Sequence, residues 1–212
     1  MKAKVLLGIG LLVLTYLAFG CQDQGLDASA TGQIEMMVTS TPVSSSPFGS
    51  MTQRAIAGAE VTVTRVYLIP VSGVSGEEVL VFASSAGKTF DLMSLQNGLQ
   101  AELAEASVPA ARYDQVRIVL SGARVTLADG FTFSDGSTTQ FLHTPSAEES
   151  GIKVLLRNDI DIPAGALTTL VLDINVAQNF NVQTDPQSET MVRRVSFTPV
   201  IREFRRDIGP AE

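Results

Sequence analysis

The chain has 212 residues, a formal net charge of −7, no Trp, three Tyr, one His and one Cys. An acidic balance repels phosphate backbones and argues against a nucleic-acid partner, while a single His rules out multi-His zinc sites and a single Cys rules out an intrachain disulfide. The aromatic platforms on which sugars or bases usually stack are scarce.

Lys2 and Lys4 precede sixteen uncharged residues, Val5–Gly20, and Cys21 follows at once. A basic start, an apolar run and small residues before a cut describe a secretory signal. The ending Leu17-Ala18-Phe19-Gly20-Cys21 resembles a bacterial lipoprotein signal, in which the cysteine accepts acyl chains such as palmitate and becomes the new N-terminus. Ala18-x-Gly20 also suits an ordinary signal peptidase, which would leave Cys21 a free thiol. A retained transmembrane anchor is the weaker alternative, because a span needs about 18 to 20 apolar residues. Cleavage would leave 192 residues of net charge −9, enough for one good core. Gln22 after the cysteine, where an Asp would retain the protein in the inner membrane of enteric bacteria, favours the outer membrane. Residues 1–20 thus read as signal, 21–31 as lipidated N-terminus and tether, 32–204 as the folded domain and 205–212 as a tail.

The first strand is predicted where Ile34, Met36 and Val38 alternate with Gln33, Glu35 and Met37. A breaker-rich loop from Thr41 to about Gly58 follows, and within it Phe48 and Met51 are candidate partner contacts. Val61 and Val63 lie on one face and Val66 and Leu68 on the other, which places a bulge near Thr64-Arg65. Val79–Phe82 and Thr89–Leu95 read as strands, and Leu99, Leu103 and Ala106 give the one helical spacing, over Leu99–Ala106 with Pro109 beyond it. Asn97-Gly98, Asp129-Gly130 and Asp135-Gly136 are turn pairs. Val116, Ile118 and Leu120 alternate, and Val125 and Leu127 resume after Ser121-Gly122. Further on, Ile152, Val154, Leu156, Ile160 and Ile162 share one face, as do Leu170, Leu172 and Ile174. A hairpin with the three-residue loop Pro163-Ala164-Gly165, pairing Ile162 with Ala166 and Leu156 with Leu172, keeps both sets on one side. Eight to ten short strands with regular turn signals predict an all-β sandwich.

Several of these stretches recur in order in a known family. They are Phe90–Gly98, Val108–Arg117, Thr144-Pro-Ser146, Gly151-Ile-Lys153, Pro163-Ala-Gly165, Leu172-Asp173 and Thr198-Pro-Val-Ile-Arg202. Over about Gly32 to Glu203 the chain resembles the domain-of-unknown-function family numbered 4382, carried by bacterial and archaeal lipoproteins. The resemblance implies a secreted β-sandwich of transthyretin or Greek-key type without an established activity. The chain departs from the family at Ser40-Thr41-Pro42, where Asp-Ala-Pro is usual, at Ala111, where Gly is favoured, and at Asn175, where an acid tends to recur.

Asp159, Asp161, Asp173 and Asn175 form the best candidate for a cation site. In the hairpin register Asp173 lies four residues beyond the partner of Asp159, roughly 14 Å at about 3.4 Å per residue, too far for one ion. Solvated sheet-face carboxylates are the reading adopted, with no metal and no cofactor. His143-Thr-Pro-Ser146 reads as a strand end entering a turn, and no nucleophile-elbow motif accompanies that histidine. Tyr113 stands where a tyrosine corner would lock a crossover to nearby backbone. Arg194 and Arg202, on one strand from Val192 to Phe204 and opposite Val195, Phe197 and Ile201, are candidate contacts for an anionic glycan or headgroup. The expected protein is a lipid-anchored, non-catalytic envelope module that binds a protein or glycan. Its rivals are a structural spacer and, last, a hydrolase.

Overall fold

A computed structural model describes residues 30–42, 51–72 and 77–211. In chain order these form β1 (Thr31–Thr39), α1 (Met51–Ala55), β2 (Ile56–Pro70), β3 (Val79–Asp91), β4 (Ala101–Pro109) and β5 (Ala111–Leu127). Then come β6 (Thr132–Phe133), β7 (Thr139–Leu142), α2 (Pro145–Glu149), β8 (Ile152–Lys153) and β9 (Ile160–Ile162). The last elements are β10 (Ala166–Asp173), α3 (Val176–Asn179), β11 (Phe180–Asp185), β12 (Ser188–Phe197) and β13 (Arg202–Pro210).

The fold is an all-β sandwich. One sheet has the order β13-β10-β1-β4, a second β11-β12-β6, and the largest β3-β2-β5-β7 with β8 and β9 also paired to β5. The alternation in β1 does what it predicts: Ile34, Met36 and Val38 are fully buried. β1 lies parallel to β10 and antiparallel to β4, so its apolar face meets a core shared with Val61, Val66 and Leu68 of β2 and Val192 and Val195 of β12. The bulge expected near Thr64-Arg65 is present, where the β2–β5 register shifts between Val63 and Arg65. Asn97 and Gly98 both take positive φ (65° and 83°), as their turn requires. Gly122 (φ 134°) is forced in a different way, since a Cβ there would lie 2.5 Å from the Phe141 ring.

Five sequence readings are corrected. Leu99–Ala106 is not a helix: Ala101–Pro109 is strand β4, with Ala106 opposite Ile34 and Ala104 opposite Met36. A register shift puts Leu103 beside Ala104 as an extra residue, and this bulge turns a period of two into apparent helical spacing. The second correction joins Val79–Phe82 and Thr89–Leu95 into β3, which stops at Asp91. There the Asp91 carboxylate accepts from Met93 N–H (3.0 Å) and its carbonyl from Ser94 Oγ (2.8 Å), so Leu92 and Leu95 reach the core from a turn. Third, the loop expected to last to Gly58 gives way earlier to α1 and β2, because Ala55 and Ile56 are core residues.

The 152–174 hairpin does not form. The Pro163–Gly165 turn is real, with Gly165 at φ 67°, but β9 pairs with β5 and β10 with β1 and β13. Alternation specifies which face is apolar and not which strand lies alongside. Finally, Val192–Phe204 is two strands in two sheets, and β13 continues to Pro210 through residues expected as a tail. Thr168 opposite Ile208 and Leu170 opposite Arg206 show that this end completes the sheet edge.

Tyr113 locks a crossover as expected. It is 1% exposed, and its hydroxyl donates to Pro109 O at 2.8 Å, closing the corner between β4 and β5. Burial pushes its phenol above the ordinary range. A raised folded pKa means the contribution is complete below the unfolded value of about 10 and fades as pH rises through the folded one. Tyr113→Phe is therefore expected to lose about 1 kcal/mol at pH 7. The gap between the two proteins should narrow above about pH 10 when urea midpoints are followed from pH 7 to 11.

Candidate functional site

Of the residues singled out from sequence, Cys21 and Phe48 lie outside the described residues. Met51 opens α1 and is half-buried against the core, so it is more a packing residue than an open contact. Arg194 on β12 and Arg202 on β13 are both exposed, but they sit in different sheets and do not make one strip. Pro199 lacks an N–H and interrupts the ladder between them, and Asn179 takes over its neighbours. The Asn179 side chain accepts from Val200 N–H in a short hydrogen bond and donates to Val200 O (3.2 Å) and Asn175 O (2.7 Å). It is 1% exposed, a buried amide that satisfies the backbone where the chain changes sheet.

The four candidate cation ligands separate into two places. Asp159 forms an ion pair with Arg112 on β5 (2.8 Å), and Asp161 is exposed opposite Arg112 on β9. Asp173, at the end of β10, accepts from Thr41 N–H (2.7 Å) and Thr41 Oγ1 (2.9 Å). Asn175 donates to Thr41 O (2.9 Å) and caps α3 by accepting from Gln178 N–H (3.1 Å). Thr41, Asp173 and Asn175 therefore satisfy one another, in a neutral-plus-acid network with its acceptors already in use. Among the described residues, no three His, Cys, Asp or Glu side chains gather as a metal site would require.

Two depressions border these networks. One of about 170 Å³ lies between Pro42, Thr52, Ile56, Met93, Gln96 and Val176, where the Ser40–Pro42, Phe90–Gly98 and Asp173–Asn179 stretches meet. Thr52 is spent inside it, donating to Phe180 O (3.3 Å) and accepting from Val182 N–H (3.4 Å). The volume is below the range of about 300 to 1,000 Å³ usual for ligand pockets. The second, about 410 Å³, is lined by Thr144, Ser146, Gly151, Ile152, Phe197, Thr198 and Pro199. Three separated sequence motifs thus converge on one hollow with hydroxyl groups on its wall, and Thr144 Oγ1 is buried there without a partner. At its margin His143 Nδ1 lies 3.4 Å from Glu148 Oε1, and the imidazole meets the Phe141 ring edge-on at 4.7 Å.

Sequence reasoning missed a third cluster, under β13. Glu203 and Arg206 form an ion pair at 2.8 Å with side chains only 4% and 14% exposed. Arg206 also donates to Asp159 O (2.7 Å) and Asn158 O (3.0 Å), and Glu203 accepts from Arg157 N–H (3.0 Å). An i, i+3 charge pair in a basic tail carries no sequence signal of this, because only the packing of residues 155–159 across the strand buries it.

Removal of the Asn179 side chain orphans both polar groups of Val200. Asn179→Ala is expected to cost about 2 to 3 kcal/mol, seen as a lower urea midpoint at unchanged slope.

No curated protein and no solved structure matches the chain. A family profile does, over residues 23–192, about four-fifths of the 212 residues, taking in everything from before β1 into β12. The family is described as a domain of unknown function, DUF4382, and this chain belongs to it.

Proposed function

We propose that this protein is a lipid-anchored module of the cell envelope, held by Cys21 on the outer membrane, that binds a protein or glycan without catalysing a reaction. The reading is carried by the order of the first residues: Lys2 and Lys4, an uncharged run and a lone cysteine, ahead of a self-contained β-sandwich. Two or three acyl chains make such an anchor permanent, whereas one gives a partition constant of only about 10⁴ M⁻¹. Among the described residues no helix is long and apolar enough to cross a membrane. Binding, rather than catalysis, is favoured by how polar groups are used. The hydroxyls, amides and carboxylates near the first hollow bond to backbone and to one another, and the described hydrogen bonds link no hydroxyl to the His143 ring.

Expressed in a bacterial host, the chain should fractionate with membranes and carry a diacylglycerol mass on its N-terminal peptide. Cys21→Ser should abolish that mass and leave either an uncleaved precursor or an acyl-free soluble chain, and a wild-type N-terminal peptide without the diacylglycerol mass would sink the anchor. The binding half of the proposal is tested by passing detergent-solubilised envelope over the immobilised full chain. A saturable protein or glycan supports the module, and a blank from folded bait favours a spacer.

A further inference from the structure

The outward face of the largest sheet carries an arrangement that folding alone does not explain. Val66, Leu68, Val116 and Ile118 are buried, so the residues between them point the other way. Tyr67 pairs with Leu80 on one side and Arg117 on the other, and Arg117 pairs in turn with Lys153. Leu80, Tyr67, Arg117 and Lys153 thus form one row across four strands, about 14 Å long at roughly 4.8 Å per strand. Arg65, exposed, is two residues from Tyr67 on the same face. Like charges directly opposite on paired strands are unfavourable. Yet Arg117 and Lys153 stand opposite one another, and neither they nor Arg65 has an ion-pair partner among the described residues.

Arg117 is also held in place. With the Gln115 amide oriented so that every polar atom meets a complement, its oxygen accepts from Arg117 Nε and Nη2 at 3.1 and 2.9 Å. Gly151 (φ 71°) lies against the stem, where an added Cβ would be 2.8 Å from Arg117 Cγ. One edge of the guanidinium is therefore gripped while the remaining Nη1 donors, the Lys153 ammonium and the Tyr67 hydroxyl share the row.

We propose that Arg117, Lys153 and Tyr67 form a binding site for the carboxylates of an acidic oligosaccharide. The inference deepens the binding reading above and rests on it. Guanidinium and ammonium donors recognise oxyanions by charge-assisted hydrogen bonds. A planar anionic membrane fits less well, because the cationic row is narrow and the sheet carries Asp161 at one end and Glu60 and Asp91 at the other. An acidic peptide fits less well too, since the backbone groups under the row are already paired and only side-chain donors remain for a ligand.

The test uses the full chain in zwitterionic micelles, titrated calorimetrically with tetragalacturonate, with the neutral tetrasaccharide maltotetraose and with inorganic phosphate. The acidic tetrasaccharide should bind, lose affinity as salt rises, and weaken roughly tenfold or more with Lys153→Glu or Arg117→Gln. Gly151→Ala should weaken it as well through the displaced guanidinium. Lys153 is exposed, so its variant keeps the fold if Arg117→Gln does not. Affinity unchanged in the Lys153 variant, equal binding of maltotetraose, or tight binding of phosphate alone would overturn the site. Retention of an envelope component by both the wild type and the Lys153→Glu protein, with no binding of the acidic tetrasaccharide by the wild type, would overturn this site while leaving the binding module standing.

Discussion

The chain changes sheets repeatedly, and every change must satisfy the backbone groups that leave a ladder. An unpaired buried amide or carbonyl costs about 1 to 3 kcal/mol, as much as a good core contact contributes. The residues at the crossings answer that demand. Tyr113 receives the chain from β4 into β5, Asp173 and Asn175 hold Thr41 beyond β1, and Asn179 holds Val200 between β12 and β13. Thr39 does the same near the 95–99 turn, donating to Leu99 O at 2.8 Å. By comparison, the surface pairs Arg112–Asp159 and Arg124–Glu60 are solvated and are worth about 0 to 1 kcal/mol each. The crossings, not the surface charges, set the topology.

The same logic accounts for the buried charges under β13. Taking Glu203 and Arg206 out of water is expensive unless every donor and acceptor finds a partner. Here Arg206 meets the carbonyls of Asn158 and Asp159 as well as Glu203, leaving its Nε without one. The arrangement pins residues 155–159 across the start of an edge strand, and Leu155 makes a parallel bridge to Arg202. An edge covered in this way is less available for pairing with another chain.

The departures from the family pattern also find a place in space. Ser40-Thr41-Pro42 and Asn175, distant in sequence, come together beside Asp173. A threonine hydroxyl and an amide there close a network around one carboxylate without bringing like charges together.

Much of the fold was legible from periodicity. Ile34, Met36 and Val38, the bulge near Thr64-Arg65, the Asn97-Gly98 turn and the corner at Tyr113 are local features, governed by side-chain alternation, backbone sterics or a hydroxyl within reach of its own neighbourhood. The misreadings have one origin. Leu103 looked helical because a bulge shifted its phase, and Ile160–Ile162 looked like a hairpin partner of β10 because both carry the same alternation. Period two states that a strand has an apolar face, and it is silent on which neighbour supplies the hydrogen bonds. Of the site residues, Arg117 and Lys153 were visible only as members of separate motifs. Their opposition across β5 and β8, like the burial of Arg206, is a matter of long-range pairing. The sequence by itself determined an all-β chain with a defined apolar face for most strands, since these follow from local order. Strand partners, sheet crossings and the charges that meet were decided by the tertiary structure alone, since each depends on contacts between residues far apart in the chain.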